Sequence, residues 1–347
     1  MLKGRTVRRL RTAKEKTITI AMCGALTAWA LALHGCTGFG QQTAPTVSPT
    51  AAAEQQQRIE QAQAAKEAGN YDQALSLFQQ ILAENPTITS AYVGIGDIYI
   101  VKQDYERAEP AYARAARLEP RNFDAQYGHG LALQMLGRFI DAIRAYHRAL
   151  TIHPDNFNAN LNIATTYLQM EQPEHAIAFA EKAVEADSQD GPARVNLGAA
   201  YERVGRHADA VEQYEAAIEL MDPPSPEVMM NLINALAKNQ RYHEAVNTAE
   251  FLVRIEPSAQ AYERLGWGHF KLADYQASLD AYRKAVELDP NHWPALNGVG
   301  VNAINTWLVS KKDDTAAAKE ARQALRRSLQ INPNQPKVVA LLSNYNL

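Results

Sequence analysis

Side chains able to do chemistry are sparse in this chain. Its two cysteines, Cys23 and Cys36, both precede residue 37, so the rest offers no thiolate for a metal, a disulfide or nucleophilic attack. Beyond His34 the histidines are His129, His147, His153, His175, His207, His243, His269 and His292, and none stands at the spacing of a metalloprotease pair. His129 lies in an apolar slot beside Gly130 and reads as a packed core histidine. His147 and His153 flank a helix end, where the helix dipole accounts for a cationic side chain. Carboxylates such as Glu106 and Glu109 alternate with basic residues and read as solvated faces. There is no glycine-rich phosphate loop. No catalytic residue, cofactor or metal is therefore assigned, and the expectation is a non-enzymatic chain.

What the sequence does contain is repetition. Phe123–Asn156 reads as two short amphipathic helices, one with Tyr127, Gly130 and Leu133, the other with Phe139, Ala142, Tyr146 and Ala149, broken at Gly137 and closed by Pro154. The slot of Gly130 recurs at Ala62, Gly96, Ala164, Gly198, Ile233, Gly266 and Gly300, in steps of 33 to 35 residues. A small slot recurs at Ala74, Ala108, Ala142, Ala176, Ala210, Ala245, Ser278 and Ala321. Four residues later stand Phe78, Tyr112, Tyr146, Ala180, Tyr214, Ala249, Tyr282 and Leu325. One such hairpin cannot bury its own apolar face, so it needs copies on either side.

A period near 34 with this order of residue types resembles the tetratricopeptide repeat family. The resemblance implies an all-α, right-handed superhelical solenoid of stacked antiparallel helix hairpins, about eight units over residues 55–335, with a C-terminal capping helix at 336–347. Pro110 falls inside a second helix and is expected to be tolerated there. About nine extra residues around Val309–Ala318 predict either a surface loop or an extended helix pair.

In this family the first helices of the hairpins line the inner wall, which makes that wall the place to look for binding. Two residues before the glycine slot stand Gly94, Gly128, Asn162, Asn196, Asn231, Arg264 and Gly298. Asn162, Asn196 and Asn231 would stack into a row of amides able to pair with a peptide backbone, or alternatively to bridge neighbouring hairpins. The row resembles the asparagine ladder in the repeats of O-linked N-acetylglucosamine transferases, whose catalytic domain is absent. Tyr127, Met230, Asn234, Trp267 and Phe270 join it on the same wall, with Arg203, Lys238 and Lys271 one turn further along. Apolar anchors, amides and a few cations suit an extended protein segment. The Lys and Asn set of the two-carboxylate clamp found in chaperone-binding relatives is not assembled on adjacent repeats.

Residues 1–35 carry Lys3, Arg5, Arg8, Arg9, Arg11, Lys14 and Lys16, then an apolar run Ile18–Leu33, the order of a secretory signal. Leu33-His34-Gly35-Cys36 resembles a bacterial lipobox, although His34 departs from the usual small residue. The resemblance implies an acylated Cys36 at the mature N-terminus, anchored in the bilayer; an uncleaved anchor or an ordinary signal is the alternative. Thr37 in place of an aspartate points, by the family's sorting rule, to the outer membrane facing the periplasm. Residues 36–54 read as a flexible tether. Beyond residue 35 there are 28 basic against 37 acidic side chains, a balance that argues against nucleic acid as partner. The expected function is a lipid-anchored scaffold for a protein or peptide partner in envelope assembly, such as pilus, secretion or outer-membrane machinery. The alternative is an accessory subunit of a cell-wall or polysaccharide glycosyltransferase or hydrolase.

Overall fold

The computed structural model describes residues 49–347. The expectations for the signal, for Cys36 and for the tether up to residue 48 lie outside the described residues. Seventeen helices and no strand follow among the described residues: α1 (Pro49–Glu67), α2 (Tyr71–Glu84), α3 (Thr89–Val101), α4 (Tyr105–Leu118), α5 (Phe123–Met135), α6 (Phe139–Leu150), α7 (Phe157–Gln169), α8 (Pro173–Ala186) and α9 (Gly191–Arg203). The series continues with α10 (His207–Glu219), α11 (Pro226–Lys238), α12 (Tyr242–Ile255), α13 (Ala259–Lys271), α14 (Tyr275–Leu288), α15 (Trp293–Val309), α16 (Thr315–Ile331) and α17 (Pro336–Tyr345). Each odd helix pairs with the next even one, giving eight hairpins, and α17 packs on α16. The first helix begins at Pro49, so 49–54, assigned above to the tether, is helical.

Two side-chain sizes are traded within each hairpin. The slot glycines face the bulky residue of the same hairpin: a Cβ at Gly130 would lie 2.6 Å from the Tyr146 ring, one at Gly96 2.7 Å from Tyr112, and one at Gly198 2.8 Å from Tyr214. Where the bulky place holds Ala180 or Ala249, the slot takes Ala164 or Ile233, all four of them buried. A hairpin therefore keeps its two helices in close contact by matching volumes across one point.

The turn between the two helices is equally regular. Gly69, Gln103, Gly137, Glu171, Gly205, Gln240 and Ala273 occupy equivalent places and all have positive φ, from 58° to 80°. First helices are commonly opened by polar caps: Asn122 accepts from the Ala125 N–H, Asn156 from Ala159, Asp190 from Ala193 and Ser258 from Ala261. Helix α4 runs through Pro110 unbroken. The extra residues of the last hairpin lengthen both helices to 17 residues, which makes them an extended helix pair.

From α1 to α15 every odd helix also touches the next odd helix, whereas no comparable contact joins even ones among the described residues. The odd helices thus form one continuous wall, and their outward side chains share a single surface. Among the described residues no helix is long and apolar enough to cross a membrane.

Candidate peptide-binding face

The row two residues before each glycine slot faces the preceding hairpin. A Cβ at Gly94 would lie 2.4 Å from Phe78, one at Gly128 2.2 Å from Tyr112 and one at Gly298 2.4 Å from Tyr282, so these glycines make room for a ring. Glycine occurs at this place only after an aromatic. Arg264 follows the hairpin that carries Ala249, where no ring excludes a long side chain.

Two of the three asparagines bridge hairpins. The Asn162 amide donates to the Tyr127 hydroxyl at 3.0 Å, and the Asn196 amide donates to the Thr165 hydroxyl at 3.1 Å. Each bridge runs from one odd helix to the one before it. Burial pushes the Tyr127 phenol above its usual range, and the Asn162 bond partly offsets that shift. Asn231 is half-buried and, among the described residues, its amide has no hydrogen-bond partner. Arg203 also bridges, donating to the Leu168 carbonyl at 2.7 Å.

Of the residues expected to form the groove, Asn234, Arg264 and Trp267 come together. With Glu202, Ile233, Ala237 and Lys238 they line an open cleft of about 430 Å³ along α9, α11 and α13. Trp267 is half-buried and meets Tyr242 edge-on at 5.8 Å between ring centroids, with the Lys271 ammonium 5.8 Å from its own ring. Lys238 donates to Glu202 at 2.9 Å, and the Tyr214 hydroxyl donates to the same carboxylate at 3.2 Å. Met230 is half-buried against the central core. Phe270 lies apart, in a pocket with Tyr275, Leu308 and Tyr345. Tyr127 lines a different cleft of about 530 Å³, which also holds Lys66, Asp97 and Asp124. There Asp97 accepts from the Lys66 ammonium and from the Tyr112 hydroxyl, each at 2.6 Å.

One reading from sequence needs correction and another is narrowed. Glu109 is not on a solvated face: its side chain is 22% exposed and accepts from His129 Nε2 at 3.2 Å and from Arg138 at 3.4 Å. His129 is a packed, largely buried ring that is hydrogen-bonded to Glu109 rather than purely apolar in its contacts, and burial holds its pKa below the usual range against the pull of Glu109. Sequence alone does not single out Glu202 for the same reason, since a glutamate on a helix resembles solvated surface. Its place four residues after Gly198, matching Lys66 after Ala62 and Gln134 after Gly130, is the signal that would have found it. Among the described residues, no group of three or more His, Cys, Asp or Glu is placed to hold a metal ion.

Stacked helix pairs with a continuous inner wall, presenting amides, cations and an indole, define a repeat scaffold for protein–protein interaction. Residues 59–117 and 93–157, 133–201, 191–220 and 259–292 match the tetratricopeptide repeat, covering more than half of the sequence, and the chain belongs to that family. It is 31% identical over 118 residues to small glutamine-rich tetratricopeptide repeat-containing protein 2 of Mycosarcoma maydis, 33% of each chain. It is 32% identical over 91 residues to heat shock protein STI1 of Saccharomyces cerevisiae, 26% of this chain and 15% of that one. The chain thus spans a third or less of the length of these curated relatives. Among solved structures, the C-terminal part of a tetratricopeptide repeat-containing protein from Cytophaga hutchinsonii aligns with a TM-score of 0.58 at 18% identity, over 70% of this chain and 99% of that one. The Pseudomonas aeruginosa pilF structure aligns with a TM-score of 0.51 at 17% identity, over 65% and 98% of the two chains. At these identities the likeness is one of fold.

Proposed function

We propose that this protein holds an extended segment of a protein partner along its inner wall while tethered to the cell envelope by lipid on Cys36, as an assembly scaffold for pilus, secretion or outer-membrane machinery. The observation that carries the binding reading is the cleft where Asn234, Arg264 and Trp267 converge with Glu202 and Lys238. An indole and an arginine are the side chains that most often dominate interface energetics. Half-buried amides with no hydrogen-bond partner, on Asn231 and Asn234, can pair with a main chain of any sequence. The envelope reading is supported by the order of basic residues, apolar run and Leu33-His34-Gly35-Cys36 in the sequence.

A photo-crosslinking amino acid placed at Asn234, and for comparison at the exposed Phe251 on α12, tests both parts in intact cells. The expected result is a protein adduct from Asn234 alone. Wild type should take up labelled palmitate and fractionate with membranes, while Cys36→Ser should do neither. Equal adducts from the two positions would sink the groove reading. Palmitate labelling that survives Cys36→Ser, or is absent from wild type, would sink the lipid anchor.

A further inference from the structure

Four cations of the inner wall lie on three consecutive first helices: Arg203 on α9, Lys238 on α11, and Arg264 and Lys271 on α13. They are not equally engaged. Arg203 is held by the Leu168 carbonyl and Lys238 by Glu202, at 2.7 Å and 2.9 Å. The Lys271 ammonium lies 5.1 Å from the Tyr242 ring centroid. Arg264 differs from all of these. Its Nε is buried with no hydrogen-bond partner, and its nearest acid is the adjacent Glu263, 3.5 Å away across a poorly placed contact. Among the described residues none of its N–H groups finds an acceptor, although a guanidinium carries five donors in a planar fork.

The acids around it do not fill that role. Glu202 is already taken by Lys238 and the Tyr214 hydroxyl. The Glu263 side chain is only 12% exposed and reaches Arg264 at Nε, at 3.5 Å and without a hydrogen bond, while burial pushes its pKa upward against the pull of Arg264 and His292. Meanwhile the Arg264 side chain is 35% exposed and lines the same cleft as Trp267. A planar fork with unused donors beside an indole is complementary to a carboxylate next to an apolar group.

We infer that the cleft between α11 and α13 selects a partner segment carrying an internal Asp or Glu side chain next to an aromatic or aliphatic residue, with the carboxylate on Arg264 and the apolar group on Trp267. This rests on the reading of the inner wall as a peptide groove. It is a side-chain carboxylate, within an extended segment, that the cleft would recognise. Bidentate pairing would fix the register of the segment, while the amides of Asn231 and Asn234 pair with its main chain. Because the guanidinium is partly exposed, the preference should shrink as salt is added.

The test uses the full purified chain and an array of acetylated, amidated peptides in which Glu, Gln, Lys and Phe are combined in an Ala-Ser background. Blocking both ends removes the terminal carboxylate as a ligand. The expected binders carry Glu beside Phe, and replacing that Glu by Gln weakens them about tenfold or more. Arg264→Gln should bring the Glu peptide down to the level of the Gln peptide, Arg264→Lys should keep part of the preference, and Arg264→Glu should favour Lys instead. Melting of each variant shows that it is folded. If peptides bind and lose affinity on Trp267→Ala but show no preference for Glu, or if the preference survives Arg264→Gln, this inference fails and the groove stands. If no peptide binds wild type, or if binding ignores both Trp267→Ala and Asn234→Ala, the groove reading fails with it.

Discussion

Gly130 lies so close to the Tyr146 ring that a methyl group added there would sit 2.6 Å from a ring carbon, well inside van der Waals contact. Tyr146 is fully buried and its hydroxyl donates to Gln134 at 2.8 Å, so the ring has little freedom to retreat. Gly130→Ala should therefore destabilise by about 1–3 kcal/mol in denaturant titrations. The hairpin of Ala164 and Ala180 shows the alternative solution, two small residues at the same pair of places. Gly130→Ala combined with Tyr146→Ala should lose less than the sum of the two single changes, and strict additivity would count against volume matching at this point. The asparagine row separates in a similar way. Asn162→Ala and Asn196→Ala each remove a bridge between hairpins, made at 3.0 Å and 3.1 Å, and should cost about 0.5–1.5 kcal/mol apiece. Asn231→Ala removes no bond and should leave melting unchanged. A loss from Asn231→Ala as large as the other two would mean that its amide also serves the fold.

Within each hairpin the turn is the point where backbone preference and sequence disagree most. Gly69, Gly137 and Gly205 meet the left-handed requirement without penalty, whereas Gln103, Glu171, Gln240 and Ala273 adopt it with a side chain attached. Ala273 has φ 59° and is exposed, so its methyl contributes no packing to offset the strain. Ala273→Gly should stabilise the α13–α14 hairpin by about 1 kcal/mol, read as a higher denaturation midpoint with unchanged slope. A fall in the midpoint would show that unfolded-state entropy outweighs the relieved strain. Hairpins of this kind are legible in the amino-acid sequence because close packing forces small and large residues to recur in register, as Gly130 does with Tyr146 and Gly198 with Tyr214. The inner wall is legible only as a set of positions. Spacing places Asn162 and Asn196 on it but not the hydroxyls of Tyr127 and Thr165 that receive them, since those bonds depend on how far one hairpin is rotated on the next. Phe270 shares the spacing of Glu202 yet lies outside its cleft, in a pocket completed by Tyr345 of α17. That closing helix lies outside the 34-residue repeat, and nothing in the periodicity indicates where it packs.

Across the described residues the core is a string of clusters rather than a single centre. The largest runs from Ala164 on α7 to Ala281 on α14, and includes Met229, Ile233, Leu236 and Leu252 at 2% exposure or less. A smaller one, Ile59 to Ile98, serves α1 to α3, and another, Ala303 to Leu347, joins α15 to α17. Each hairpin gains its stability from two neighbours, so the end units have one fewer interface and should open first. Hydrogen exchange should find the slowest amides on α9 to α12, intermediate protection on α5 to α8 and on α13 to α16, and the fastest exchange on α1, α2 and α17. Helix α1 should hold longer than α17, because it buries Ile59, Ala62 and Ala65 and is tied to α3 by the Lys66 ammonium donating to Asp97 at 2.6 Å, whereas on α17, among the described residues, only Val338 is buried. Denaturant titration followed by helical circular dichroism should accordingly give a slope too shallow for a chain of this size, since the ends leave before the middle. Uniform protection along all seventeen helices, with a single steep transition, would mean that the clusters unfold as one unit and that coupling between hairpins exceeds what nearest-neighbour contacts supply.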